Sequence, residues 1–148
     1  MQLTKHTDYA LRVLMWLAQR ERSTIREIAE ANRLSENHLM KVVHGLARLG
    51  YVETLRGRGG GIKLARAPAK IAVGEVVRHM ERTLHAVECL ADDYSGDCRY
   101  TRACGLRSIM RDAQSAFLAQ LDAYTLADLA PPRGAAQPVR WQRPAARI

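Results

Sequence analysis

Between residues 8 and 20, Ala10, Val13, Leu14 and Leu17 recur at i, i+3, i+4 and i+7, which is one face of a helix. Ser23 and Thr24 can cap a short second helix, "TIREIAEA", after which "NRL" turns the chain. Ser35 can cap a third helix with Leu39, Val42, Val43 and Leu46 on its apolar side, and Gly50 suits the left-handed position past its end. Helix, short helix, three-residue turn and longer helix is the spacing of a helix-turn-helix. Two strand-like runs follow, "YVETL" and "GIKLA", joined by the glycine-rich "RGRGG". A helix-turn-helix followed directly by a basic hairpin predicts a winged helix.

Beyond Pro68, "IAVGEVVRHMER" reads as a further helix with Val73, Val76, Val77 and Met80 on one side. Residues 82–105 are rich in Asp, Gly and Cys and read as a loop. From Leu106 a long amphipathic helix resumes, with Leu106, Met110, Ala113, Phe117, Leu121 and Tyr124 as its seam. That seam fits a dimer and equally fits packing against the chain's own head. The segment 131–148 takes four of the five prolines and few core formers, so it reads as a disordered basic tail. The expected architecture is mainly α with one small β-hairpin. It divides into a winged helix-turn-helix at 1–66, a cysteine loop and long dimerisation helix at 67–130, and the tail.

Charge sharpens the picture. The 148 residues carry a net charge of +8. Residues 1–66 hold 12 basic and 6 acidic groups, a surplus of +6, whereas 67–130 hold 7 and 9, a balance of −2. The helix-turn-helix half therefore faces a polyanion. The start "MQLTKHTDYALR" is interrupted by Lys5, Asp8 and Arg12 before an apolar run develops, so no signal peptide is read there. No run reaches the roughly 18 apolar residues of a membrane span. A cytoplasmic location follows by default, where paired disulfides are disfavoured.

On the third helix, Asn37 and His38 sit near the N-terminus, where short polar side chains reach base edges in a major groove. Lys41, His44 and Arg48 are spaced for backbone phosphates, with Ser35 at the helix start. In the hairpin, Arg56 and Arg58 on a thin glycine loop suit a narrow minor groove. A solvated helix face and a simple glycine turn are the plainer alternatives.

All three cysteines, Cys89, Cys98 and Cys104, lie in "ECLADDYSGDCRYTRACGL" with the spacing C-x8-C-x5-C. The tight pairs of structural zinc sites and of bacterial ferredoxins are absent. No nucleophile–base–orienter set surrounds any one thiol. Three soft ligands on one loop suit an iron–sulfur cluster completed from elsewhere, while unrelated free thiols remain the alternative.

Taken in order, "LTKHTDYALR", "NHLMKVV", "LRGRGGGIKL", the three-cysteine loop and "LDAYTLADL" resemble the winged-helix iron–sulfur repressors, the family that includes NsrR, IscR and RirA. The resemblance covers residues 1 to about 130 and is strongest to the nitric-oxide-sensing NsrR branch. It implies a homodimeric repressor of a palindromic double-stranded DNA operator, with the long helix at the dimer centre and nitric oxide as its signal. It also implies that Cys89, Cys98 and Cys104 hold a cluster, of 4Fe-4S type, with a 2Fe-2S form arising on oxygen exposure. Asp8 of the partner subunit is the implied fourth ligand, and Arg12, one helical turn on, is placed to orient or neutralise that carboxylate.

Three departures matter. Arg107 stands where IscR-type members carry a histidine, three residues past the last cysteine. The x8 gap approaches that of RirA-like iron sensors. His85, four residues before Cys89, competes as fourth ligand, or is simply a polar residue after a helix. An iron- or redox-responsive regulator thus stays open beside the nitric-oxide sensor. An electron-transfer protein is disfavoured by the helix-turn-helix and basic hairpin. A zinc-stapled DNA-binding protein would be colourless.

Overall fold

The computed structural model describes residues 2–57, 59–96, 98–100 and 103–129. Arg58 and the segment 131–148 lie outside the described residues. Among the described residues the elements run in the order α1 Lys5–Ala18, α2 Ile25–Asn32, α3 Glu36–Arg48, then β1 Val52–Leu55 and β2 Gly61–Leu64, then α4 Val73–Met80, α5 Gly105–Asp122 and α6 Leu126–Leu129.

The periodic apolar positions are the core. Ala10, Val13, Leu14 and Leu17 of α1 meet Leu39, Val42, Val43 and Leu46 of α3, all buried, with Ile28 of α2 closing one side. Val76 and Met80 of α4 join the same cluster. Fully burying one such side chain is worth about 1.5–3 kcal/mol, so this interior holds the head together.

Caps define the helix-turn-helix. Thr24 Oγ1 accepts from the Glu27 amide at 3.2 Å, and Glu27 Oε2 accepts from the Thr24 amide at 2.8 Å, a closed capping box. The Thr24 amide and the Ser23 hydroxyl hold the Glu27 carboxyl below the usual carboxylate range. Arg33 ends α2 in the left-handed region, φ 55° and ψ 45°, and makes the turn into α3. Ser35 occupies the N-cap position of α3 but makes no side-chain cap bond, so its expected capping role is corrected to a positional one. Thr24→Ala should cost about 1 kcal/mol in urea unfolding; an unchanged midpoint would contradict the role given to the box.

β1 and β2 pair antiparallel with Val52 opposite Leu64 and Leu55 opposite Gly61. The hairpin is not free-standing. Ser23 forms a bridge to Ile62, donating to its carbonyl at 2.9 Å and accepting from its amide at 2.8 Å, which adds a one-residue third strand. A Cβ at Gly61 would come within 2.7 Å of the Ser23 carbonyl oxygen, so only glycine permits that approach.

The long helix departs from the single seam expected of it. No side chain of α5 is buried among the described residues, and the helix ends before Tyr124. Met110, Phe117 and Leu121 are half-buried, whereas Leu106 and Ile109 are 58% and 63% exposed and Ala113 is exposed. The apolar positions thus fall on two faces. Chain-internal contacts cover one of them, because α5 packs on α4 and Gln114 Oε1 accepts from the Ala86 amide at 3.2 Å. After α5 the chain returns to the head: Val73 donates to the Tyr124 carbonyl, Leu126 donates to the Ile71 carbonyl, and Leu126 is fully buried.

Candidate DNA-reading face and cysteine segment

Burial of Leu39, Val42, Val43 and Leu46 leaves the other side of α3 to solvent, and there Asn37, His38, Lys41, His44 and Arg48 are all exposed. Ser35 is exposed at the start of the same helix. Asn37, Lys41, His44 and Arg48 follow i, i+4, i+7, i+11 and line one stripe, with His38 to one flank. Met40, 51% exposed, sits on the other flank. It is an apolar side chain among polar ones and escaped the sequence reading, which scored only polar residues on that face.

Arg56 is exposed immediately past β1. The hairpin that carries it is anchored by residues the sequence reading missed. Arg22, from the α1–α2 connection, donates to the Gly59 carbonyl. Trp16 Nε1 donates to Ser23 Oγ at 3.0 Å, and Ser23 Oγ donates to Glu27 Oε2 at 2.7 Å. The hairpin tip is therefore tied to α1 and to the start of α2. A Trp seven residues before a Ser, at a helix end, was the available signal.

A second polar group stands at the hairpin base. Tyr51, fully buried directly before β1, donates to Glu75 Oε1 at 3.1 Å and lies 2.7 Å from His79 Nδ1. Arg66 donates to the same Glu75 oxygen at 3.1 Å, and its guanidinium carbon lies 4.6 Å over the Tyr51 ring. Burial and the Glu75 carboxylate push the Tyr51 phenol up to about 12. Burial alone would raise Glu75, but the Arg66 and Tyr51 hydrogen bonds outweigh it and hold the carboxyl below its ordinary value.

The cysteines lie between α4 and α5. Cys89 is half-buried in a 3-10 turn over Glu88–Leu90, Cys98 is exposed with its amide donating to Tyr94 Oη at 2.8 Å, and Cys104 is half-buried at the N-cap of α5. None is in a disulfide. Two cavities of about 360 and about 530 Å3 open along this segment; both touch His85, and the larger touches Cys98. Among the described residues no three His, Cys, Asp or Glu side chains converge on a point that could hold a metal ion.

The donor set nonetheless fits an iron–sulfur cluster in its chemistry. It offers three thiols, none in a disulfide, on one segment beside the N-terminus of a helix that favours anionic groups. Arg107 Nε, one turn into α5 from Cys104, is buried with no hydrogen-bond partner, a donor suited to an anionic neighbour. Asp8 and Arg12 form a paired unit on α1: Arg12 Nε donates to Asp8 Oδ1 at 3.1 Å, and a second guanidinium nitrogen lies 2.9 Å from Oδ2. Both side chains stay nearly half exposed, so the carboxylate is oriented but accessible.

Residues 3–132 match the Rrf2 family, described as an iron-dependent transcriptional regulator. The chain is 52% identical over 132 residues to the HTH-type transcriptional regulator NsrR of Geobacillus kaustophilus (strain HTA426), a match covering 87% of this chain and 89% of that protein. Among solved structures, CymR, the global cysteine regulator of B. subtilis, superposes with a TM-score of 0.71 at 28% identity, covering 88% of this chain and 96% of that one. T. potens IscR superposes at 0.70 with 27% identity, covering 87% and 85%. The resemblance read from the motifs, and the winged-helix fold expected from periodicity, are both borne out. The chain belongs to the Rrf2 family and is a DNA-binding transcriptional regulator.

Proposed function

We propose that the protein is a homodimeric repressor whose iron–sulfur cluster senses nitric oxide. The observation that carries this reading is the placement of all three cysteines on one segment bracketed by α4 of the DNA-binding head and by α5. The NsrR name of a relative at 52% identity supplies the signal. Cys89, Cys98 and Cys104 would hold the cluster, and Asp8 of the partner subunit would complete it. When bound, the cluster would supply iron reactive toward nitric oxide. Asp8 offers a harder and weaker donor than thiolate, so its position is the natural entry point. Arg12, paired with Asp8 at 2.9 Å, would orient that carboxylate.

The exposed apolar stripe of α5, Leu106, Ile109 and Ala113, supports a second copy of the chain as its cover. Ligands shared between subunits would fix the angle between two reading heads, and a palindromic operator demands that spacing. In each head Asn37 and His38 would read bases, with Ser35, Lys41, His44 and Arg48 on phosphates and Arg56 and Arg58 at the minor groove. Within the chain, 1–66 would read DNA, 67–130 would sense and dimerise, and 131–148 would be a basic tail. No helix of the described residues is long and apolar enough to cross a membrane, and the proposed place of action is the cytoplasm.

A 4Fe-4S cluster is expected, with 2Fe-2S as its oxygen-damaged form. Anaerobic purification with iron and sulfide counting tests this: about four of each per chain supports it, and colourless zinc-loaded protein refutes it. Asp8→Ala should then lower cluster retention, measured as visible absorbance per chain over time. Unchanged retention would move the fourth ligand to His85 or to an exogenous group. The family description, iron-dependent, favours a second reading in which cluster occupancy reports iron supply. Low-iron growth against nitric-oxide exposure, read on one target promoter, separates the two.

A further inference from the structure

The two feet of the hairpin are held by one carboxylate. Tyr51 stands directly before β1 and Arg66 two residues past β2, and both donate to Glu75 Oε1, each at 3.1 Å. His79, one turn along α4 from Glu75, completes the group at 2.7 Å from Tyr51 Oη. The Tyr51 hydrogen goes to Glu75, so the short contact is satisfied when His79 Nδ1–H donates to Oη, an assignment made from the network. The Tyr51 ring is fully buried and its phenol is held protonated, so the hub keeps its one donor.

The adjoining face of α4 is tied to α5. Arg78 donates to both Asp122 oxygens, at 3.0 and 2.6 Å, which ties α4 to the end of α5. A Cβ at Gly74 would overlap the Asp122 carboxylate, so the two helices approach as closely as glycine allows. The cysteine segment leaves the end of α4 and re-enters at the start of α5. Hence α4 is bonded both to the wing base and, through Arg78, to the last residue of the helix that follows Cys104.

We propose that Tyr51, Glu75, His79 and Arg66 are positioning residues that carry the state of the cysteine segment through α4 to the wing, and so set where Arg56 meets DNA. This rests on the cluster-dependent reading above. A hydrogen-bonded group centred on one buried phenol and one shared carboxylate suits such a role, because its members shift together or the bonds between them break. Displacing α4 by a fraction of a hydrogen-bond length would shift both hairpin feet together, and with them the arginine beyond β1.

Tyr51→Phe keeps the buried ring and removes only the hub hydroxyl. Operator affinity is measured for the full-length wild type, Tyr51→Phe, Arg56→Ala and the double variant, each cluster-loaded and cluster-free. Tyr51→Phe should retain cluster absorbance per chain, lose roughly tenfold in cluster-loaded affinity and little in cluster-free affinity. Arg56→Ala should then cost less in the Tyr51→Phe background than in wild type, because the wing is already misplaced. A merely structural tyrosine would lower thermal stability and leave the loaded-to-free ratio and the additivity with Arg56 unchanged, and that result overturns the inference. Glu75→Gln, close in shape and without charge, gives the same readout if Tyr51→Phe does not fold. Wild type binding equally with and without cluster would instead overturn the cluster-dependent reading itself.

Discussion

A Cys98→Ser protein should emerge from anaerobic purification without visible absorbance and bind its operator roughly 10- to 100-fold more weakly than the wild type, a coupling of ordinary size for a regulated site. Cys98 is exposed and outside the apolar core, so the substitution leaves the head intact and its melting temperature nearly unchanged. Serine offers a harder oxygen donor in place of a soft thiolate, which a cluster iron holds poorly at neutral pH. Iron content, operator affinity and thermal melt on one preparation check the three parts. Full iron content in the variant would remove Cys98 from the ligand set.

Asn37→Ala is expected to cost about 1–3 kcal/mol of operator binding and to relax selectivity at one base pair per half-site. The reason is position. Asn37 is exposed one residue past the start of α3, where a recognition helix points its side chains at base edges. Lys41, one turn on, is the internal control. Lys41→Ala should weaken all sequences alike and reduce the salt slope by about one. Equal losses for Asn37→Ala on operator and on scrambled duplex would place Asn37 on the backbone instead.

Much of the head was legible because its signals are local. Ala10, Val13, Leu14 and Leu17, and likewise Leu39, Val42, Val43 and Leu46, are buried as their spacing requires, since a 3.6-residue period leaves one apolar face. Thr24 announced the second helix as a cap, and the structure adds Glu27 to close the box. What escaped depends on partners far away in the chain. Tyr51 reads as an ordinary strand former, and nothing near it signals Glu75 or His79, more than twenty residues on. Ser23 reads as a cap, although its backbone pairs with Ile62 across the whole helix-turn-helix.

The long helix shows the same limit. Periodicity marks Leu106, Met110, Phe117 and Leu121 as apolar but is silent on which of them meets α4 and which is left outward. The confinement of all three cysteines to one segment between α4 and α5 was legible from their positions alone. Their side chains do not converge on one point among the described residues, and spacing along a single chain carries no signal for a ligand from a second copy.

The most direct measurement is anaerobic operator binding by the cluster-loaded protein during stepwise addition of nitric oxide, with the visible spectrum followed in the same samples. Loss of binding in step with loss of the cluster spectrum is the expected result. Binding that persists unchanged after the spectrum has been destroyed would contradict cluster-dependent repression.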